Sequence, residues 1–266
     1  MQTTRTLLAD TLARIEVDAR QWGISRRGAL LLALFPILVA GGGALLAVLA
    51  VVAKVPFRPI FRVVTAEDSL LEWPQFFLVL AASLIFGANG VRLLRGGQRL
   101  AGLIYLLLAL GCFFVAGEEI SWGQRVFGWG TPDSLDAINH QGETNVHNIR
   151  LVQRLFGFVV LLGSAYGVAA PLLRRRLWSE REQPSFAWLY VPPLCLIPAF
   201  LMPFAYRMAH TFIYSGTNFV VVKYGEAPEL CLYFGLAVFA WLTLRRLLPI
   251  TPRAPAASRA ASKHTT

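Results

Sequence analysis

Two adjacent glutamates, Glu118 and Glu119, follow a long apolar stretch and open the longest polar connection in the chain. Carboxyl groups at the boundary between an apolar and a polar environment suit acid–base catalysis or cation binding. We therefore assign Glu118 and Glu119 as the predicted catalytic carboxylates. The alternative interpretation is a solvated helix end at which Glu118 pairs with Arg125.

The connection over residues 118–151 is dense in Glu, Asn, Gln, His and Trp. If the preceding helix continues, Glu118, Trp122 and Arg125 share one face and Glu119 points away from it, into the bundle. Long connections of this kind are often functional. Acidic residues near Glu72 lie on the same side, in the connection that leads into the second span. The predicted polar site comprises Glu72, Trp122, Gln124, Arg125, Asn139, Gln141, Glu143, Asn145 and Asn148.

Three histidines are predicted metal ligands. His140, Glu143 and His147 are spaced i, i+3, i+7, although Gly142 interrupts a continuous helix, and His210 lies in a later connection. Imidazole and carboxylate are ligands of zinc and similar divalent metals. The pattern is not the HExxH motif, and the alternative is that these histidines are hydrogen-bonded structural residues, with Asn145 capping the next helix.

The elements that position these residues are apolar helices. The chain is 56% hydrophobic and 15% charged, with a mean hydropathy of +0.55, and a bilayer crossing needs about 20 apolar residues. This composition predicts an all-α polytopic transmembrane bundle. The six predicted spans cover residues 28–53, 70–91, 100–117, 152–173, 186–206 and 229–248.

Two spans carry helix-perturbing residues. Pro192, Pro193, Pro198 and Pro203 predict that the fifth span is kinked or broken. The triplet at positions 41–43 in the first span is all glycine, which allows close approach of a neighbouring helix.

Three regions are predicted along the chain. Residues 1–27 form an amphipathic helix that lies on the inner leaflet, with Asp18 off its apolar stripe. Residues 28–248 form the six-span domain with its structured outward connection at 118–151. Residues 249–266 form a low-complexity, disordered cytoplasmic tail.

The charges predict the orientation. Of the 25 Lys and Arg residues, 17 fall in the two terminal segments and in the second and fourth connections. Because basic residues are enriched on the cytoplasmic side, this distribution predicts that both termini are cytoplasmic. The predicted location is the inner membrane of a bacterium. Ten of the 15 acidic residues fall on the opposite, outward side. The net charge of +10 comes from basic residues at the ends of the apolar spans, where such residues determine the orientation of the chain in the membrane. We therefore exclude nucleic-acid binding.

The segment GEEISWGQRVFGW, followed by TP and by NHQGETNVHN, resembles a group of bacterial multi-pass membrane proteins without an established activity. The resemblance covers about 40 residues and implies a membrane bundle but no reaction. A fainter similarity, at the level of the fold, is to membrane hydrolases of the alkaline ceramidase type, which hold zinc through histidines. This chain lacks their paired HxxxH and has one span fewer.

Three functions fit the sequence. The first is an outward-facing, metal-assisted hydrolase of a lipid or lipid-linked substrate, in which a metal such as zinc on His140, His147 and His210 activates water and Glu118 or Glu119 is a ligand or general base. The second is a transporter. The third is a non-catalytic scaffold in which the 118–151 connection binds a membrane-protein partner through Trp122 and Trp129.

Overall fold

Six helical segments are long and apolar enough to cross a membrane, which confirms the predicted polytopic all-α fold: Arg26–Val52, Glu72–Arg95, Arg99–Glu119, Leu151–Leu177, Ala187–Ile213 and Phe219–Leu247. The computed structural model describes residues 2–65, 70–132, 150–177, 187–214 and 216–248. Within these ranges no residue lies in a strand. The predicted tail at 249–266 lies outside them.

Eleven α-helices occur in the described ranges. Their bounds are α1 Gln2–Gln21, α2 Arg26–Val52, α3 Phe57–Thr65, α4 Glu72–Arg95, α5 Arg99–Glu119, α6 Gln124–Phe127, α7 Arg150–Leu177, α8 Ala187–Tyr190, α9 Ile197–Met208, α10 Phe219–Lys223 and α11 Glu226–Leu247. The sequence did not predict α3, which lies between the first and second spans.

Helices α4 and α11 run parallel through the centre of the bundle. The buried amides of Gln75 and Asn89 on α4 donate to the backbone carbonyls of Glu226 and Ala240 on α11, at 2.7 and 2.9 Å. Both donor–acceptor pairs are separated by 151 positions, so the two helices stay in one register over four turns. This register places the beginnings of α4 and α11 side by side.

Helix α5 returns antiparallel to α4 after a tight turn, and the two cross at glycines. A Cβ atom at Gly102 would lie 2.6 Å from the Leu94 side chain and 3.0 Å from the carbonyl oxygen of Gly90. Small residues at a helix crossing allow this close packing in membranes. The end of α5, with Glu119, is thereby brought next to the beginnings of α4 and α11.

The fifth span is broken, as its prolines predicted. It consists of α8, a 3-10 turn at Leu194–Leu196, α9, and a π-helical turn at Ala209–Ile213. Pro192 and Pro193 separate the first two pieces, because proline supplies no N–H donor to continue a helix.

Helix α1 packs its last turn against the bundle. Asp18, which the sequence placed off the apolar stripe, is buried: it pairs with Arg174 on α7 and accepts a 2.7 Å hydrogen bond from the Leu194 amide. Trp22 packs edge-on against Trp188 on α8, with 5.2 Å between ring centroids. A buried ion pair needs such additional partners to offset its desolvation. That α1 lies on the membrane surface stays a prediction.

Of the three glycines at positions 41–43, one makes a close approach. A Cβ at Gly43 would lie 3.0 Å from Ala227 of α11, whereas one at Gly41 or Gly42 would have nothing within 4 Å. The triplet therefore does allow the close approach of a neighbouring helix, and this approach is made at Gly43.

Candidate carboxylate site at the acidic end

Four carboxylates gather at one end of the bundle. Glu72 begins α4, Glu119 ends α5, and Glu226 and Glu229 lie in the first turn of α11. Helices α4 and α11 run parallel in one register, and α5 runs antiparallel to α4. The beginnings of α4 and α11 therefore lie beside the end of α5. We call these four residues the carboxylate cluster. Arginines end α4, α7 and α11 at the opposite end of the bundle.

Glu119 is held from the interior of the bundle. The hydroxyl of Tyr233, which is 2% exposed, donates to its Oε1 atom at 2.9 Å. Glu119 therefore points into the bundle and away from Glu118, as the sequence predicted. A phenol that donates to a carboxylate fixes the position of the acceptor oxygen and leaves the second oxygen for another partner.

Glu226 is contacted from two sides. The Gln75 Nε2 atom lies 3.4 Å from its Oε2 atom, and the Lys223 ammonium lies 3.5 Å from its Oε1 atom. Both contacts are long, so the Glu226 carboxylate is held weakly compared with Glu119. The same Gln75 amide makes its stronger bond to the Glu226 backbone.

Glu229 pairs with Arg207 on α9. The Arg207 Nη2 atom lies 2.5 Å from Glu229 Oε1, and both side chains are more than four-fifths buried. The pair ties the second half of the broken fifth span to the beginning of α11. The Arg207 Nε atom is buried and has no hydrogen-bond partner in the described ranges.

The members of the carboxylate cluster lie close enough for their charges to act on one another. The charges of Glu72, Glu226 and Glu229 all act on Glu119, and Glu72 and Glu229 act on Glu226. Two cations, Arg207 and Lys223, pair with members of the cluster. Ionised carboxylates at a membrane boundary are costly, and their charge is met there by protons, cations or a basic ligand.

Glu118 and Trp122 do meet, but by a different geometry from the predicted one. Helix α5 ends at Glu119, and Trp122 has left-handed backbone angles (φ 54°, ψ 28°), so Glu118, Trp122 and Arg125 do not share the face of a continuous helix. The chain instead folds back, and the Trp122 indole donates to Glu118 Oε1 at 2.6 Å. The predicted common face is therefore wrong.

Gly117 makes this reversal possible. A Cβ at position 117 would lie 2.8 Å from the Trp122 ring, so the indole packs directly on the glycine. Beyond it, the Gln124 side chain donates to the Thr131 hydroxyl at 2.9 Å. These contacts give Trp122 a place beside Glu118 and tie Gln124 to Thr131 within the connection.

His210 lies at the edge of the site. It sits in the π-helical turn, half-buried, with its ring centroid 5.7 Å from that of Tyr206 and 6.5 Å from that of Tyr214. It is one helical turn from Arg207, which pairs with Glu229. Its predicted role as a metal ligand stays a prediction.

Most of the predicted polar and metal-binding residues fall in the 133–149 gap. His140, His147, Asn139, Gln141, Glu143, Asn145 and Asn148 lie outside the described residues, and the structure describes no side chain for Arg125. Among the residues that it does describe, no group of three or more His, Cys, Asp and Glu side chains is arranged to hold a metal ion.

Several residues of the site were not predicted from the sequence. Gln75, Arg207, Lys223 and Tyr233 all contact the carboxylate cluster. One signal was present: Glu226, Glu229 and Tyr233 are spaced i, i+3, i+7, and Glu72 and Gln75 are spaced i, i+3, so each set shares a helix face. Arg207 gave no such signal, because its partner is 22 residues away on another helix.

The fold and the site define the class of protein: a multi-pass α-helical membrane protein with a carboxylate cluster at one end of its bundle. Comparisons with protein-family models, with curated proteins and with solved structures find no match. The function is therefore argued from the site alone.

Proposed function

We propose that the chain is a membrane hydrolase that acts on a lipid or lipid-linked substrate, with Glu119 as its general base. In this reaction Glu119 accepts a proton from water as the water oxygen attacks the scissile carbonyl or phosphoryl centre. The leaving group then takes up that proton. A positioned carboxylate contributes about 10²- to 10⁴-fold to the rate of such proton transfers.

One observation carries the proposal. Glu119 receives a hydrogen bond from the buried Tyr233 hydroxyl and stands among three further carboxylates at the end of a membrane span. Like charges that gather at this depth repel one another and destabilise the fold, so a purely structural role would not favour them. A function in which Glu119 takes up and releases protons would explain why carboxylates gather there.

The location also suits a lipid substrate. The cluster lies at the ends of spans α4, α5 and α11, where lipid head groups meet the hydrocarbon. A lipid could reach it from within the membrane without leaving the bilayer. Following the distribution of basic residues, we propose that this acidic end faces away from the cytoplasm of a bacterial inner membrane, with both termini inside.

The proposal rests on Glu119 and not on a metal. His140 and His147 lie outside the described residues, so the predicted zinc site stays a prediction.

The test is lipid turnover by the purified full-length chain. The chain, in detergent micelles, is incubated with total bacterial lipid extract, and released head groups and acyl products are followed by mass spectrometry. We expect product release, and we expect Glu119→Gln to lower it by about 10²-fold or more. Ser83→Ala is the matched control, because it removes a buried hydrogen bond to Ala109 elsewhere in the bundle. No release by wild-type protein, or equal release by Glu119→Gln, would contradict the proposal.

The broken fifth span favours a second candidate, a transporter. Discontinuous spans with irregular turns are common at transporter binding sites, and π-helical turns often mark functional positions. The Ala209–Ile213 turn follows Arg207 and adjoins the carboxylate cluster. Sealed proteoliposomes distinguish the two candidates: a transporter moves solute across the membrane with the lipids unchanged, whereas a hydrolase changes the lipids without solute flux.

A further inference from the structure

Three exposed cations stand at helix α3, between the first and second spans. Arg58 and Arg62 are spaced i, i+4, so their side chains are neighbours on one side of the helix. Lys54 lies in the turn before α3, where its carbonyl accepts a hydrogen bond from the Arg58 amide at 2.6 Å. None of the three forms an ion pair with another residue that the structure describes. We call Lys54, Arg58 and Arg62 the α3 cations.

Packing holds α3 in place on its other side. Phe61 is fully buried and clusters with Ala50 of α2 and Val220 of α10. Its ring centroid is 6.3 Å from that of Phe219, and the Arg62 guanidinium lies over the same Phe219 ring, 5.6 Å from its centroid. Helix α3 is therefore fixed against α2 and α10, while its arginines stay at the surface.

Apolar side chains are exposed on α3 between the arginines and the packed side. Ile60 is 47% exposed and Val63 is 66% exposed. A helix that exposes apolar residues beside cations suits the boundary between hydrocarbon and lipid head groups. Helix α3 connects α2 to α4 at the end of the bundle that holds the carboxylate cluster, so it lies where the spans reach that boundary.

The proposed orientation of the chain does not account for the α3 cations. Basic residues are enriched on the cytoplasmic side of a membrane, whereas α3 stands at the end that we propose faces away from the cytoplasm. A negatively charged ligand would explain cations at this position. Guanidinium groups match the oxygens of a phosphate especially well, because their N–H donors form a planar fork.

We propose that the α3 cations bind the phosphate of an anionic phospholipid, with Arg58 and Arg62 donating to its oxygens and with Ile60 and Val63 against its acyl chains. A zwitterionic phospholipid carries its own cation beside the phosphate, so the α3 cations should favour an anionic head group. The inference rests on the proposed function where it names anionic phospholipids as the substrate class. Binding at α3 does not itself require turnover.

The position of α10 connects this surface to the carboxylate cluster. Helix α10 packs on α3 through Val220 and Phe219, and its last residue, Lys223, contacts Glu226 at 3.5 Å. A phospholipid held at α3 would therefore lie at the same end of the bundle as Glu119.

The experiment measures lipid preference at α3 in the full-length chain, reconstituted into vesicles. A bimane fluorophore is attached to Val63→Cys, and the native cysteines are buried, so the label reports on position 63. Quenching by phosphatidylglycerol with brominated acyl chains is compared with quenching by brominated phosphatidylcholine. We expect the ratio of the two association constants to favour phosphatidylglycerol by about fivefold or more, since each cation near an anionic lipid surface contributes on the order of fivefold.

Two double variants in the labelled chain test the assignment. Arg58→Gln with Arg62→Gln should bring the ratio close to one. Arg92→Gln with Arg95→Gln is the matched control, because it removes two exposed arginines from the last turn of α4, at the opposite end of the bundle, and should leave the ratio unchanged. Both variants should stay folded, since all four side chains are exposed.

A ratio close to one before these substitutions would overturn the proposal, as would a ratio that the Arg58 and Arg62 substitutions leave unchanged. Inorganic phosphate, added against chloride at constant ionic strength, should not lower the ratio. Loss of the preference on adding phosphate would show that the α3 cations bind the free anion, and it would overturn the choice of a lipid. Lipid turnover without a preference at α3 would leave the hydrolase standing, and a preference without turnover would leave the lipid site standing.

Discussion

Tyr233 and Glu119 join the interior of the sixth span to the end of the third, with the phenol oxygen 2.9 Å from the carboxylate. The bond lies inside the bundle, where Tyr233 is buried. In the proposed reaction this bond orients the base. Tyr233 is therefore a positioning residue, and Glu119 is the catalytic one.

Tyr233→Phe should keep the fold and impair the reaction. The variant removes one hydrogen bond to a charged group, so we expect the free energy of unfolding to fall by about 1.5–3 kcal/mol. Lipid turnover should fall while remaining above that of Glu119→Gln, because the base is still present. Turnover and Tm measured on the same preparations check this. Turnover by Tyr233→Phe equal to wild type would show that the bond does not position Glu119.

The Asp18–Arg174 pair predicts a large effect at the other end of the molecule. Asp18→Asn leaves the Arg174 charge buried without its partner, and breaking a buried pair in this way costs about 3–5 kcal/mol. Replacing both residues, as Asp18→Met with Arg174→Met, should cost less, since no uncompensated charge remains. Thermal unfolding in detergent compares the two variants. A double variant less stable than Asp18→Asn would mean that the pair itself is strongly stabilising.

The crossing of α4 and α5 predicts a contrast between two glycines of α5. At Gly102 a new Cβ would meet both Leu94 and the backbone of Gly90, so Gly102→Ala should destabilise the protein by about 1–3 kcal/mol. Gly111 has open space, so Gly111→Ala should be neutral or stabilising by up to about 1 kcal/mol. The two Tm values, measured in the same detergent, test the packing, and equal Tm values would contradict it.

Local patterns in the sequence predicted the spans and the break in the fifth one. A span can be predicted from the composition and length of an apolar run alone. Each of the four prolines removes a backbone N–H donor whatever its surroundings, so the break can be predicted as well. The inward direction of Glu119 followed from helical spacing, because its neighbour Glu118 occupied the other face. The resemblance drawn from the GEEISWGQR segment stays a prediction.

Such local patterns could not predict contacts between residues that are far apart in the sequence. Asp18 is buried because Arg174, 156 positions later, meets it, and nothing in the spacing of α1 indicates that partner. The continuous face through Trp122 was wrong because the chain reverses over Gly117, and a helical template cannot anticipate a left-handed residue at a tryptophan. Gln75 was missed because its local signal, the i, i+3 spacing from Glu72, does not indicate which residue of α11 it faces.

The account depends on the carboxylate cluster facing away from the cytoplasm, and cysteine labelling tests this directly. The native cysteines Cys112, Cys195 and Cys231 are all buried, so background labelling should be low. Gly130→Cys places a thiol in open space beyond α6, on the side of the cluster, and Gln98→Cys places one in the exposed turn between α4 and α5. In intact cells a membrane-impermeant maleimide should label Gly130→Cys, and it should label Gln98→Cys only after permeabilisation. Labelling of Gln98→Cys but not Gly130→Cys in intact cells would place the cluster at the cytoplasmic face and contradict the account.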